Sequence, residues 1–228
     1  MSDAYAAALR AFCSAPQRER LGDKAEELMS TNFFDLPKDL PRPVDDGAAS
    51  HLEGMTLPKI LLAATNGSTV DLAGIQVRVV IYIYPMTGRP GVALPDGWDG
   101  IPGARGCTPQ SCAFRDHYSE LKSLETSVFG LSAQTTEYQK EARDRLHLPF
   151  ELLSDRELRL KEALGLPTFK VAGMELYKRL TLIAENGRIQ KVFYPVFPPD
   201  RNADDVLAWL RRNAQLGAAG DAPQAERP

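Results

Sequence analysis

The chain has 228 residues, enough for one sizeable core with or without terminal extensions. Its apolar share of 43% and charged share of 25% are ordinary for a soluble globular protein, so composition names no activity. A net charge of -3 without any Lys/Arg run argues against a nucleic-acid binder, and the longest apolar run, residues 75–84, is too short to span a bilayer. Asp3 and Arg10 stand among N-terminal alanines with no apolar block and cleavage site, so no secretory signal is read and a cytoplasmic location is the default.

Residues 4–29 have helical spacing (Leu9, Phe12, Leu21, Ala25, Leu28) interrupted near Pro16 and predict one or two helices. A Pro-, Asp- and Gly-rich connector follows over 36–54. The apolar runs 60–64 and 69–72 flank Asn66-Gly67 and predict a hairpin. Residues 76–84, dense in β-branched and aromatic types, predict a buried central strand that ends at Pro85. The stretch 86–106 reads as a long ordered loop without a regular element, and loops of that length are usually functional. Residues 107–124 predict one helix, with Pro109 in its first turn where the missing N–H costs nothing.

A strand over 126–132 comes next, then a helix to about Leu146 capped by Thr136 with Gln139. A short strand over 150–153 leads to a helix that Ser154 and Glu157 start and Gly165 ends. Residues 179–184 and 188–194 around Asn186-Gly187 predict a second hairpin. Asn202 caps a last helix to Ala214, and an Ala/Gly/Pro-rich tail completes the chain. Alternating strands and helices, then a hairpin and a closing helix, imply an α/β fold with a central mixed sheet flanked by helices on both faces. That is the thioredoxin-like arrangement with one added strand–helix segment. The domain reading is an N-terminal helical extension and connector over 1–56, the folded domain over 57–215 and a disordered tail over 216–228.

Three cysteines are too few for a structural disulfide framework. In a reducing compartment the close pair Cys107 and Cys112 points to catalysis, redox sensing or metal binding. Cys107 opens its helix, where free N–H groups and the positive end of the dipole stabilise an anion; Cys112 lies more than a turn inside and gains less. Five residues of ideal helix separate the two Cα atoms by roughly 8.7 Å. A disulfide needs about 7 Å or less. If the two pair, the first turn must unwind. A zinc site from Cys107, Cys112 and His117 would lack a fourth ligand, and His117 reads as a packed histidine on the apolar face of its helix. Cys13 reads as a small core residue.

Gly-Cys-Thr-Pro-Gln-Ser-Cys-Ala-Phe-Arg-Asp, residues 106–116, strongly resembles the active-site segment of the Q-type peroxiredoxins, or bacterioferritin comigratory proteins. The likeness continues through 148–155, 164–167 and 179–183 and covers roughly residues 57–212. The resemblance implies a thiol peroxidase that reduces hydrogen peroxide and organic hydroperoxides without metal or other cofactor. It implies Cys107 as the peroxidatic cysteine and Cys112 as the resolving cysteine in an intramolecular disulfide. It also implies that the Arg179 guanidinium holds the sulfur and the peroxide, tethered by Gln110.

The family's Pro and Thr before the peroxidatic cysteine are here Gly100 and Ala104, and residues 86–106 contain an insertion of about fifteen residues by that comparison. Pro85 is the candidate to shield the thiolate and Thr87 to supply the missing hydroxyl, with Pro102 and Arg105 as alternatives for shielding and for added positive charge. The implied partners are a peroxide and a thioredoxin- or glutaredoxin-like reductant, with no nucleic acid, no membrane, and a monomer or homodimer. Two other functions compete on the same fold. A general thiol–disulfide oxidoreductase normally spaces its cysteines two residues apart, unlike this pair. A redox sensor would use Cys107–Cys112 bonding to remodel the helix.

Overall fold

A computed structural model describes residues 36–220. The helices expected over 4–29, Cys13 and the last residues of the expected tail lie outside the described residues. The described residues fall into two units, one of residues 36–87 and 95–220 and another to which residues 88–94 belong. Of the latter, only 88–94 is described, an irregular stretch with a turn closed by Val92 N–H on Arg89 O at 3.0 Å.

The larger unit holds a seven-stranded mixed sheet. Its strands are β1 (Leu61–Ala64), β2 (Thr69–Asp71), β3 (Arg78–Ile83), β4 (Thr126–Ser132), β5 (Leu152–Ser154), β8 (Leu180–Glu185) and β9 (Arg188–Phe193), in the order β2-β1-β5-β4-β3-β8-β9. β3, β4 and β5 run parallel; β8 and β9 return antiparallel beside β3, and β1 pairs antiparallel with β5. The expected fold class is the one observed.

Strand periodicity explains why β3 is apolar throughout. Val79, Ile81 and Ile83 face one core with Leu62, Leu153, Leu160 and Leu182, while Val80, Tyr82 and Tyr84 face another with Phe114, Leu121, Val128 and Val206. The second core carries the helices α1 (Cys107–Asp116), α2 (Tyr118–Ser123), α3 (Thr136–Arg145) and α5 (Asn202–Gly220), and the first carries α4 (Arg159–Leu164). Tyr82 ties the sheet to α1: its ring stacks on Phe114 at 4.6 Å and its hydroxyl meets the Ser111 hydroxyl at 3.2 Å. Glycine at 130 leaves that ring its room, since a Cβ there would lie 2.6 Å from the Tyr82 ring and 2.5 Å from Leu152.

Several local expectations are corrected. The 86–106 stretch contains a 3-10 turn, Trp98–Gly100, because Gly97 enters at a left-handed φ of 74° and turns a buried Trp98 toward Phe169, ring centroids 6.2 Å apart. The helix expected over 107–124 breaks at His117, whose backbone (φ -96°, ψ 7°) leaves the helical region. That histidine is not packed on an apolar face. It is part-exposed, with Nδ1 2.9 Å from Glu120 Oε1 and Nε2 3.0 Å from Asp204 Oδ1, and so links α2 to α5.

The cap of α3 is Thr135, whose hydroxyl accepts the Tyr138 N–H, rather than Thr136. Gln139 is buried instead and donates to Leu153 O and Gln134 O, both at 3.0 Å. α4 is held at its start by Asp155, which accepts the N–H groups of Arg159 and Leu160, so the helix begins later than Ser154 and Glu157 imply. A hairpin not foreseen, β6 (Thr168–Val171) with β7 (Met174–Tyr177), turns at Ala172-Gly173, both at positive φ. α5 runs to Gly220, through residues 216–220 where the tail was expected to begin.

Candidate active site

Three chain segments converge on the sulfur of Cys107. The first is the loop end, where Gly106 takes a φ of 101° open only to glycine and caps α1. A side chain there would also overlap Pro199 and come within 2.9 Å of Leu36. The second is the first turn of α1. Its opening N–H groups have no partner within the helix, Pro109 removes a third, and no acidic side chain sits in that turn to oppose a bound anion. The third is the start of β8, which delivers Arg179.

Arg179 does not face solvent. It is 3% exposed, and its Nη2 donates to Cys107 Sγ at 3.1 Å, to Ala104 O at 3.2 Å and to Arg105 O at 3.0 Å. Its Nη1 donates to Gln110 Oε1. Gln110 in turn donates through Nε2 to Asn202 Oδ1 at 2.9 Å, and Asn202 also accepts from the Thr181 hydroxyl at 2.7 Å. Among the described residues no carboxylate lies within ion-pair distance of this buried guanidinium, and its Nε has no hydrogen-bond partner there. Burying a cation without a counter-ion costs several kcal/mol, on the order of the Born penalty after relaxation. Of the partners named, the cysteine sulfur alone can carry negative charge.

Cys107 is 3% exposed and belongs to the core that holds Tyr82, Tyr84 and Phe114. As a thiol it can donate to Ala104 O at 3.6 Å. As a thiolate it loses that donor role and keeps the guanidinium. Cys112 lies on the same unbroken helix, half-buried, and both cysteines are free. Burial pushes its thiol up from the ordinary range, and Arg115 offsets part of that. The two sulfurs are thus electrostatically unlike, although both belong to α1.

Of the residues singled out in the sequence, Cys107, Gln110 and Arg179 are joined directly by hydrogen bonds, and Cys112 sits further along their helix. Pro85 follows β3 as a buried residue. Thr87 is fully buried, but its hydroxyl donates to Gln134 Oε1 at 3.1 Å, its N–H donates to the same oxygen at 2.9 Å, and Gln134 Nε2 donates back to its carbonyl. Its proton is therefore spent on Gln134. Arg105 contributes its carbonyl, while its guanidinium pairs with Asp99 at 2.9 Å. Ala104 brings no hydroxyl but its carbonyl touches both Arg179 and Cys107. Asn202 was read as a helix cap and is instead the buried anchor of Gln110. An Asn opening a helix carries the same sequence signal in both roles, so only the tertiary pairing separates them.

The redoxin family matches residues 52–207. A chloroplastic peroxiredoxin Q from Sedum lineare is 31% identical over 163 residues, covering 70% of this chain and 77% of that one. The chain belongs to the Q-type peroxiredoxins. As such it is a thiol peroxidase.

A second relative, the chloroplastic peroxiredoxin Q of Gentiana triflora, is 28% identical over 181 residues, covering 77% of this chain and 76% of that one. Among solved structures, the peroxidoxin BcpB of Mycobacterium tuberculosis superposes with a TM-score of 0.56 at 24% identity, over 70% of this peroxiredoxin and 96% of that chain. A cysteine-to-serine mutant of PrxQ from Xylella fastidiosa gives 0.58 at 19% identity, over 71% and 96%. These structures share the fold of about seven-tenths of this chain. No helix among the described residues is long and apolar enough to cross a membrane.

Proposed function

We propose that this peroxiredoxin reduces hydrogen peroxide and organic hydroperoxides by attack of the Cys107 thiolate, with Cys112 resolving the product on the same helix. The observation that carries the reading is the buried Arg179 guanidinium, whose one potentially anionic partner among the described residues is Cys107 Sγ at 3.1 Å. The sulfur attacks the terminal peroxide oxygen: an S–O bond forms, the O–O bond breaks, and the departing oxygen leaves as alkoxide or hydroxide and takes a proton. Arg179 meets the negative charge that grows on the peroxide oxygens, and the first-turn N–H groups of α1 reinforce it. Gln110, fixed by Asn202, holds the guanidinium in place.

The sulfenic acid at Cys107 then condenses with Cys112, releasing water and forming the disulfide. Both residues lie in one regular helix, roughly 8.7 Å apart at Cα by helix geometry, whereas a disulfide tolerates about 7 Å at most. Bond formation therefore unwinds the first turn of α1, which frees Cys107 to reach Cys112. A dithiol donor of the thioredoxin type reduces the disulfide and lets the helix re-form.

The test is a comparison of wild type with Cys112→Ser. With a dithiol donor and excess peroxide, the variant consumes about one equivalent per chain and stops, whereas wild type turns over. Hydrogen exchange across residues 107–113 rises in the oxidised wild type and stays at the reduced level in the oxidised variant. Equal protection of that segment in reduced and oxidised wild type contradicts the unwinding step.

A further inference from the structure

Peroxide attack uses Arg179, and the helix that carries both sulfurs brings a second guanidinium. Arg115 lies three residues after Cys112 on α1, so the two side chains share a helix face. The guanidinium is held in place: Nη1 donates to Leu146 O at 2.9 Å, at the C-terminus of α3, and Nε donates to Asp116 Oδ1 at 2.8 Å. It is also a hydrogen-bond partner of the Cys112 side chain. Each sulfur of α1 thus has its own arginine, Arg179 for Cys107 and Arg115 for Cys112.

The other groups that face Cys112 are mixed in sign. Asp116 on α1 adds negative charge, and Arg145 on α3 adds positive charge while pairing with Glu141 at 2.7 Å. Tyr82 on β3 is a phenol that burial keeps neutral. Burial is the larger influence on Cys112 and keeps the resting residue a thiol, whereas the thiolate is the form that attacks. Among the charged groups Arg115 acts on it most strongly.

A cation beside a thiolate has two opposing effects. A tenfold gain in ionised fraction comes with only about a threefold loss in the nucleophilicity of the thiolate. While most of the cysteine is protonated, the gain wins. The place of Arg115 on α1 also suits the cycle. Unwinding takes the first turn, whereas the part beyond it is anchored on Tyr82, through the Phe114 ring at 4.6 Å and the Ser111 hydroxyl at 3.2 Å. Cys112 and Arg115 stay together while Cys107 moves.

We propose that Arg115 is a catalytic residue of the resolving step: its guanidinium, held on Leu146 O, stabilises the Cys112 thiolate that attacks the Cys107 sulfenic acid. The S–S bond forms and the S–O bond of the sulfenic acid breaks. The Cys112 sulfur is oxidised and the sulfenic sulfur reduced, and the departing hydroxide becomes water with the proton that Cys112 gave up. The step rests on the proposed peroxidase reading, and its residue lies outside the Cys107–Arg179 pair.

The experiment gives each protein one equivalent of hydrogen peroxide, quenches in acid at successive times, and measures Cys107–Cys112 disulfide by mass spectrometry from mildly acidic to alkaline pH. Arg115→Gln forms the disulfide about threefold more slowly than wild type at pH 7, and the deficit closes as pH rises. Arg115→Lys keeps the charge but cannot serve both Leu146 O and Asp116 from one fork; it recovers most of the lost rate. Asp116→Asn, at an exposed side chain, moves the profile the opposite way and speeds the step at pH 7. No deficit in Arg115→Gln, a deficit of equal size at every pH, or Arg115→Lys behaving like Arg115→Gln overturns the proposal, the last two by reducing Arg115 to a structural tie.

Alkylation of Cys112 by iodoacetamide in Cys107→Ser protein, mapped by site, tests the pairing apart from peroxide chemistry. A midpoint that Arg115→Gln moves up by about one pH unit supports the pairing even if peroxide turnover fails. A midpoint that stays in place removes it even if turnover succeeds.

Discussion

Cys107→Ser abolishes peroxide reduction, and Arg179→Ala, which leaves the sulfur in place, lowers the second-order rate constant of its oxidation by about 10²- to 10³-fold. The size of the second effect is that of losing a preorganised donor at a developing oxyanion. Two losses combine in that variant. The thiolate forfeits its buried counter-ion at 3.1 Å, and the peroxide oxygens forfeit the charge that meets them. Arg179→Lys recovers little, because one ammonium cannot serve Cys107 Sγ, Gln110 Oε1 and the two loop carbonyls from one fork. Stopped-flow oxidation with stoichiometric peroxide measures both variants. An Arg179→Ala rate within a few-fold of wild type contradicts the role given to the guanidinium.

The second large effect is structural. Gly106→Ala destabilises the protein by about 2–5 kcal/mol, adding left-handed strain of roughly 1–2 kcal/mol to overpacking of about 1–3 kcal/mol. The backbone there sits at φ 101°, and the added carbon would overlap Pro199 and crowd Leu36. Relief comes by shifting the start of α1, which also moves Cys107 away from Arg179. The variant therefore unfolds at lower urea concentration, with an unchanged m-value, and its remaining folded fraction reacts more slowly with peroxide. Wild-type stability in Gly106→Ala would show that this junction is not tightly packed.

Much of this was legible in the residues themselves. The β3 run announced a strand buried on both faces, and the Asn-Gly pairs between apolar runs placed both hairpins of the main sheet. The helix start at Cys107 was readable from spacing and Pro109, whereas its pairing with Arg179 and Gln110 rested on likeness to a family, since an arginine at a strand start reads otherwise as a surface charge. What the sequence could not show were features decided by distant partners. Gln139 and Asn202 look like helix-capping residues, yet Gln139 bonds β5 and Asn202 bonds Gln110 and Thr181. His117 looked like part of an apolar stripe, but two carboxylates on different helices claim its ring. Ala172-Gly173 lacks the Asn that precedes Gly in the other hairpins, so β6 and β7 carry a weaker turn signal.

The stretch over residues 95–106 has a physical role beyond length. It brings the carbonyls of Ala104 and Arg105 to Arg179, while its own Arg105–Asp99 pair and Trp98–Phe169 contact keep it ordered. The hydroxyl expected near the sulfur is replaced by backbone and guanidinium contacts, and Thr87 is engaged by Gln134.

The most direct test takes Cys112→Ser protein through one stoichiometric reaction with hydrogen peroxide, follows the rate, and then traps sulfenic acid with a dimedone probe for peptide mapping. The rate is expected to exceed that of free cysteine by orders of magnitude, with the label on Cys107. A rate no faster than free cysteine, or a label on Cys13 instead, would contradict a peroxidase built on the Cys107–Arg179 pair.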